Sequence, residues 1–539
     1  TAGTLSINSI QNVSGGASAI GAPTTAGNGT ISLASGTSVL RYTGAGHSSN
    51  RIIATTTDGS IIDASGTGTL TLSGGITSGG GNDDLELTGT GVGIMNGAIV
   101  TGSGALDKTG TGSWTFGAAN TYTGTTTVSA GSLEYAINNA ISTGAVTVSG
   151  GTLDIKTFTD AVGAVTLTSG NILGTTGTLT GTSYAVQSGN ITANLAGAGA
   201  TLTKTTTGTV TMSGNNTFTG AKTLSAGTLI AGSTTALGTT AASVALNGAT
   251  LNLSTDASIS AYNVVVGATS TIVSNRATAG AGVNHTFGTL SIGNFILNET
   301  VGANVNSGTA GLTFGATTLS AATPRFDVAT GAEMTLGAVS GNFAFTKQNA
   351  GVLNLNSASA RTGGTVTVSG GTLSLGSVSA LGTTAVPVQL TGGSLDLATN
   401  TSVNAYNVTV GGSSSVIVNR ATSGAAITHT LGTLSIGNFQ LTSSYGGNNA
   451  SGTAGLIFGA TTLSAAAPVF DVENNVNLTL GALSGNFAFS KQNNGLMLLN
   501  SASARTGGTV TINTGSIRLG NASALGTAAV PVVINNGAG

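Results

Sequence analysis

Side chains that could do chemistry recur in this chain at a fixed distance of 144 residues. The recurring pairs are Tyr262 and Tyr406, Arg276 and Arg420, His285 and His429, Lys347 and Lys491, and Arg361 and Arg505. The whole segment 237–380 is repeated without a gap as 381–524, and a third copy begins at Leu525. Each of these residues is therefore part of a repeated structural unit, and its chemistry has to be judged in both copies.

Only one carboxylate of the first copy returns in the second. The acids of the first copy and their counterparts are Asp256 and Asn400, Glu299 and Ser443, Glu333 and Asn477, and Asp327 and Asp471. A polysaccharide lyase or hydrolase needs several convergent acids with a cation or a general acid beside them. Because no carboxylate pair is carried through, we predict no catalytic, cofactor-binding or metal-binding residues and no enzyme. A catalytic site formed once, outside the duplicated part, remains the less favoured alternative.

The repeated arginines and histidines have two readings each. Arg276 and Arg420 could form a row that binds an anionic glycan, or each could lie at a corner and bond backbone carbonyl groups of an adjacent turn, and we favour the second. His285 and His429 lie in strand-like phrases and are expected to face outward. A metal site there would need further ligands that the neighbouring sequence does not supply.

Two features of the first 120 residues invite functional readings as well. The segment from Ser78 to Leu85 reads SGGGNDDL and nearly matches the calcium-binding nonapeptide of parallel β-rolls. Such rolls need tandem copies and this one stands alone, so we interpret it as an acidic loop. Trp114 replaces an aliphatic residue in a strand-like phrase, which favours packing in the core over a platform for sugars.

Composition excludes several classes of protein. The chain has 539 residues with 87 glycines, no cysteine, 6% charged residues and a formal net charge of −2. Such a balance leaves no basic stripe for nucleic acid, and no apolar run is long enough for a membrane helix. The 39% of hydrophobic residues recur in short bursts, so we expect a folded chain.

The local pattern predicts short strands. In the segment 365–375, Val366, Val368, Leu373 and Leu375 alternate with Thr and Ser around a glycine pair, which places them on one dry face. Similar phrases recur along the chain, and neighbouring phrases mostly lie 20 to 28 residues apart, the length of one solenoid turn. We predict an all-β, elongated, right-handed parallel β-helix (β-solenoid) that is nearly free of helix, with a whole number of turns, about six, in each 144-residue copy.

The predicted organisation follows the repeats. We expect N-terminal solenoid turns at 1–105, turns with a longer recurring phrase at 106–236, the two long copies at 237–380 and 381–524, and a truncated third copy at 525–539. The truncation leads us to expect that the natural polypeptide or its assembly continues beyond this chain.

The longer phrase occurs at 106–133 and 202–229, and in a looser form at 345–373. It consists of a Lys, then G-x-L-x-L, N-x-Y/F-x-G, a Thr-rich strand and G-T-L, as at Lys108, Tyr122 and Gly124 or at Lys204, Phe218 and Gly220. It resembles the autotransporter-associated β-strand repeat of large bacterial surface proteins. This resemblance implies an exported, cell-surface or secreted β-helix and no catalytic activity.

The lysines at the start of the phrase share one position. They are Lys108, Lys204, Lys347 and Lys491. We expect them to lie across the sheet surface and to guard it against lateral association.

Three classes of function stay open. The first is a non-enzymatic adhesive or structural shaft on the bacterial surface, with a glycan or a neighbouring cell surface as a possible ligand. The second is a self-assembling filament or layer, joined through terminal turns or lateral faces. The third is a glycan-cleaving enzyme. We favour the shaft, outside the cell, with no cofactor, no nucleic acid and no membrane span in this segment.

Overall fold

The fold was obtained as a computed structural model that describes residues 3–34, 37–56, 58–79, 81–527 and 529–535. The predicted truncated copy at 525–539 lies partly outside the described residues. The chain divides into two compact units, Thr1–Ala245 with Ala249–Thr255, and Leu246–Gly248 with Asp256–Gly539. Each unit is a β-solenoid of stacked parallel turns, and the helix found in the described ranges is the single turn Ala26–Gly29. The predicted all-β parallel solenoid is thus confirmed.

In the first unit the chain passes through three sides in each turn. Strands of the first side are Thr4–Ile7, Val39–Tyr42, Ser60–Ala64, Leu85–Thr88, Leu106–Lys108, Thr126–Val128, Ser183–Val186, Thr201–Lys204 and Lys222–Leu224. Strands of the second side are Ala45–Ser49, Gly68–Leu72, Val92–Met95, Ser113–Phe116, Ser132–Tyr135, Gly189–Ile191, Thr209–Met212, Thr228–Ala231 and Thr250–Ser254. Strands of the third side are Ile31–Leu33, Ile53–Thr55, Ile76–Ser78, Ile99–Val100, Thr159–Ala161, Thr178–Thr180 and Asn194–Ala196.

Two long strands, Val146–Asp154 and Ala164–Leu173, turn the corner between the first and second sides and pair on both. Their mutual register shifts around Ser149, next to a glycine pair. Gly150 there has a φ of +152°, a conformation that a residue with a side chain rarely adopts. Glycine at this position therefore allows the strand to bend. The strand Val244–Asn247 spans the boundary between the two units.

The second unit has three stacks, named A, B and C in the order in which each turn visits them. Stack A holds Val264–Ala268, Leu290–Ile292, Thr317–Leu319 and Val339–Ser340, and resumes with Thr428–Thr430, Ala454–Phe458, Val476–Leu480, Leu496–Leu499 and Ser516–Leu519. Stack B holds Ser270–Asn275, Ile296–Val301, Arg325–Val328, Phe345–Gln348, Val366–Val368, Val388–Leu390, Val408–Val410, Leu434–Ile436, Thr461–Leu463 and Leu483–Ser484. Stack C holds Asn284–Thr286, Ala310–Phe314, Ala332–Leu336, Val352–Leu355, Thr372–Leu375, Ser394–Ala398, Ser414–Asn419, Gln440–Tyr445, Val469–Val472, Phe489–Gln492, Val510–Ile512 and Val532–Ile534. Two small pairs, Gly280–Ala281 with Val305–Ser307 and Gly424–Ala425 with Asn449–Ser451, stand apart from these stacks.

The interior is formed by the alternating apolar residues of these strands. Val366, Val368, Leu373 and Leu375 are all fully buried, as predicted. Fixing the backbone of one residue costs about 1–2 kcal/mol, while burying one Leu or Val returns about 1.5–3 kcal/mol, so a single turn with few apolar side chains is not stable alone. Stacking resolves this deficit because neighbouring turns pair their backbone groups and close the apolar face.

Equivalent strands of the two long copies lie on different sides of the second unit. Ser270–Asn275 belongs to stack B, whereas its copy Ser414–Asn419 belongs to stack C. Following stack B, six turns lead from Ser270–Asn275 to Val408–Val410, and Ser414–Asn419 comes one side later. A copy therefore makes six turns plus one side, and the predicted whole number of turns is wrong. Turn length along stack B varies from 20 to 29 residues, so the length of the copy did not determine its turn count.

Candidate functional site: buried cations and polar outward faces

The four lysines of the recurring phrase are buried, so the prediction that they lie across the surface is wrong. Lys108, Lys204, Lys347 and Lys491 each have a relative exposure of 0%. Lys108 lies two residues after Leu106 in the same strand, so both side chains point to the same face, which is the core. The side chain follows the strand geometry inward, and its ammonium group is satisfied by backbone carbonyl groups.

Each ammonium group links the turn that follows its own strand to the next turn of the solenoid. Lys347 Nζ donates to the carbonyl oxygens of Gln348 at 2.8 Å, Asn349 at 2.7 Å and Gly370 at 3.2 Å. Lys491 makes the equivalent contacts with Gln492, Asn493 and Thr514. Burial lowers the pKa of Lys347 to about 8, so the group is still protonated at neutral pH. Charge-assisted hydrogen bonds to three carbonyls offset part of the desolvation cost.

The glycine of the G-T-L phrase leaves room for this ammonium group. Gly131, Gly227, Gly371 and Gly515 all have φ between +59° and +70°, which glycine adopts without strain. A Cβ at Gly131 would lie 2.2 Å from a carbonyl oxygen of the preceding turn and 2.8 Å from Lys108 Nζ. The lysine and the glycine of the recurring phrase are therefore two parts of one structural device.

The aromatic position of the phrase is also internal. Tyr122 and Phe218 are buried, with relative exposures of 1% and 0%. In the looser copy the equivalent position, 14 residues after the lysine as in the other two, is Arg361. Arg361 is buried and its guanidinium lies 5.1 Å from the centre of the Phe345 ring. Arg361 also donates to the carbonyls of Gly341 and Phe343. An internal cation with carbonyl partners thus takes the space that the aromatic fills elsewhere.

His285 and His429 are buried too, and the expectation that they face outward is wrong. Both have a relative exposure of 0%. Their Nε2 atoms lie 3.1 and 2.9 Å from the carbonyl oxygens of Asn275 and Asn419, which are natural acceptors for an Nε2 proton. Burial lowers the pKa of both imidazoles. They act as neutral core residues, and their parity with the buried Phe287 and Leu431 was the available signal.

The two arginines lie at corners, as favoured. Arg276 donates to the carbonyls of Thr278 and Ala281, and Arg420 to those of Thr422 and Ala425, within their own loops instead of an adjacent turn. They do not share a column, because Arg276 follows a strand of stack B and Arg420 a strand of stack C. A continuous row of arginines is therefore not formed by this pair.

The acids are dispersed. Asp327 accepts hydrogen bonds from the side chains of Gln348 and Asn349, while Glu299 is fully buried and neither carboxyl oxygen has a hydrogen-bond partner among the described residues. Burial, with a smaller contribution from Glu333, raises the pKa of Glu299 to about 9. Within the described ranges, no group of three or more His, Asp or Glu residues could hold a metal ion.

The acidic segment and the tryptophan have structural roles. Asp83 is buried and accepts hydrogen bonds from Thr55 Oγ1 at 3.0 Å and Ser78 Oγ at 2.7 Å; Gly80 of this segment lies outside the described residues. Trp114 is 1% exposed and its Nε1 donates to the Thr88 carbonyl oxygen at 3.0 Å, which confirms its predicted place in the core.

Exposed aromatic residues were missed by the sequence reasoning. Phe343 and its copy Phe487 are 39% and 38% exposed, and Phe439 is 37% exposed. Each follows Gly-Asn at a corner between two strands. The Gly-Asn-Phe tripeptide marks a corner in the sequence, because Gly and Asn favour turns, but Phe295 follows Gly-Asn as well and is only half-exposed.

Comparison with known proteins supports the resemblance. The family described as Passenger-associated-transport-repeat matches residues 106–134, 202–231 and 345–375. The Adhesin BmaC autotransporter of Brucella suis biovar 1 (strain 1330) is 42% identical over 172 residues, which cover 31% of this chain and 5% of that relative. This chain therefore corresponds to a small part of the relative's length.

No solved structure shows a significant match to the chain. Among the residues that the structure describes, no helix has the length and the apolar character needed to cross a membrane. The matched segments coincide with the three phrases identified from the sequence, so the chain is similar to the passenger-associated transport repeat at three places.

Proposed function

We propose that this chain is a section of the exported shaft of an autotransporter-type adhesin, and that it serves as a structural and adhesive β-solenoid without catalytic activity. The three matches to the passenger-associated transport repeat and the similarity to an autotransporter adhesin support a secreted protein displayed at the cell surface. Because the aligned part is only 5% of that relative, the function of the whole relative enters here as a proposal.

One observation carries the proposal: the characteristic residues of the repeat all point inward. The lysine ammonium bonds carbonyl groups, the glycine makes room for it, and the aromatic residue fills the core. The repeat is therefore a device that holds turns together. Its outward positions are left to Thr, Ser and Asn, which suit contact with a hydrated surface.

Adhesion can be tested with the purified chain on beads. We expect coated beads to attach to cell or glycan-coated surfaces more strongly than beads coated with an unrelated β-solenoid of similar charge. Equal attachment of the two bead types would argue against an adhesive role.

Two further experiments test the alternatives to an adhesive shaft. Incubation with acidic polysaccharides and calcium should release no new reducing ends, and their appearance would show an enzyme instead. Electron microscopy of the same sample should show uniform particles, while long fibres would favour the filament alternative.

A further inference from the structure

A polar cleft lies where four consecutive strands of stack C end. Its volume is about 380 Å³, within the range of small-molecule sites. The lining includes Asn356, Asp396, Asn419, Arg420 and Asn448. Asn356 and Arg420 directly follow strands, Asn419 ends a strand, Asp396 lies within the strand Ser394–Ala398, and Asn448 lies in the loop after Gln440–Tyr445. Amide, carboxylate and guanidinium groups at one cleft are the side chains that hydrogen-bond sugar hydroxyls and acidic substituents.

The guanidinium of this cleft has no acidic partner, unlike its copy. Arg276 Nε forms an ion pair with Asp256 Oδ1 at 3.1 Å. In the second copy Asp256 is replaced by Asn400, and among the described residues Arg420 has no ion pair. Arg420 still holds its loop through Thr422 and Ala425, so the group is oriented while its charge stays uncompensated.

A carboxylate has appeared at the cleft wall in the same copy. Asp396 stands where the first copy has Asn252. Its Oδ2 accepts from Ser374 Oγ at 3.0 Å, whereas its Oδ1 is buried and makes no hydrogen bond to the described residues. Burial raises the pKa of this carboxyl above its ordinary value, although the Ser374 hydroxyl and the neighbouring amide of Asn419 both act to lower it.

We propose that this cleft is a binding subsite for an acidic saccharide. The carboxylate or sulfate group of the sugar pairs with Arg420, a sugar hydroxyl donates to Asp396, and the amides of Asn356 and Asn448 flank the ring. The inference rests on the proposed adhesive function and names the chemical class of its ligand. The first copy, with its arginine already paired, lacks this combination and is the internal control.

The test titrates the full 539-residue chain with uronate, sulfated and sialylated oligosaccharides and with neutral oligosaccharides of the same length. We expect binding of at least one acidic class, weakened by added salt, and weaker binding of the neutral sugars. Asn400→Asp rebuilds the ion pair of the first copy and should weaken binding on the order of tenfold, as should Arg420→Gln. Arg276→Gln, the matched change in the first copy, should leave the affinity unchanged.

Three results would overturn the subsite: no binding of any acidic class at millimolar concentration, unchanged affinity in both Asn400→Asp and Arg420→Gln, or an equal loss in Arg276→Gln. Amide exchange of the variants shows that the solenoid is intact. The bead assay separates the two proposals. Beads that attach equally well with Arg420→Gln would leave the adhesive function standing without this subsite, and sugar binding without attachment would leave the subsite standing without the adhesive function.

Discussion

The buried acid Glu299 makes the first long copy sensitive to pH in a way that the second is not. Its pKa rises from 4.5 to about 9 because burial disfavours the carboxylate. A folded pKa above the unfolded value means that the stabilising contribution is complete below pH 4.5 and is lost as the pH rises toward 9. At 1.36 kcal/mol per pH unit, the carboxyl group costs about 3 kcal/mol at pH 7. Glu299→Ser, which installs the residue of the second copy, should remove this dependence.

Amide hydrogen exchange of the intact chain can measure this locally. Peptides from the strand Ile296–Val301 should lose close to a thousandfold in protection between pH 5 and pH 8, about 4 kcal/mol, after correction for the intrinsic exchange rate. The equivalent strand Gln440–Tyr445, with Ser443 at this position, should show little change in the same sample. Glu299→Ser should flatten the response of the first strand, whatever the packing cost of the smaller side chain. The reasoning would be refuted if both strands responded alike, or if the variant kept the full pH dependence.

Other expectations concern the devices that hold the turns together. Lys347→Met leaves three carbonyl groups without their donor and should destabilise the neighbouring turns by about 3 kcal/mol in denaturant titration; Lys156→Met, which removes a partly exposed ion pair, should cost less than about 1 kcal/mol. Gly371→Ala places a Cβ 2.3 Å from a carbonyl oxygen at φ +59° and should lower the thermal midpoint, whereas Gly363→Ala meets nothing within 4 Å and should not. Burial lowers the pKa of His429, so its contribution to stability should be complete above pH 6.5 and lost as the pH falls below it. In Glu299→Ser, which lacks the opposite pH dependence of Glu299, urea midpoints should decline from pH 7 to pH 5, and adding His429→Asn should reduce that decline; an undiminished decline would exclude this residue as its cause.

The fold could be predicted because its rules are local and repeated. Alternation of period two fixes which side chains of a short strand point inward, and glycine pairs mark the corners between strands. Val366 and Leu373 were assigned to the core on this basis and are buried. Trp114 followed from the same pattern, since it takes the place of an aliphatic residue that faces inward.

At the lysines and histidines, the alternation of the strand predicts the burial of the side chain, and its charge or polarity does not. Lys108 lies two residues after the buried Leu106 in one strand, so alternation places it inward, whereas charged side chains are rarely buried. His285 lies two residues before the buried Phe287, and the same alternation places it inward. Neither the ring of carbonyls that receives the ammonium group nor the cleft beside Arg420 could be seen in the sequence, because both depend on which residues of neighbouring turns come together.

The extra side in each 144-residue copy governs how a longer array would display its surface. Because a turn has three sides, every further copy would be rotated about the solenoid axis by roughly a third of a revolution. The starting orientation would return after three copies. Duplication would thus present the same outward residues in three directions by turns. It would also interrupt columns of identical side chains. Such columns are needed for the tight interdigitation of two paired sheets in a steric zipper.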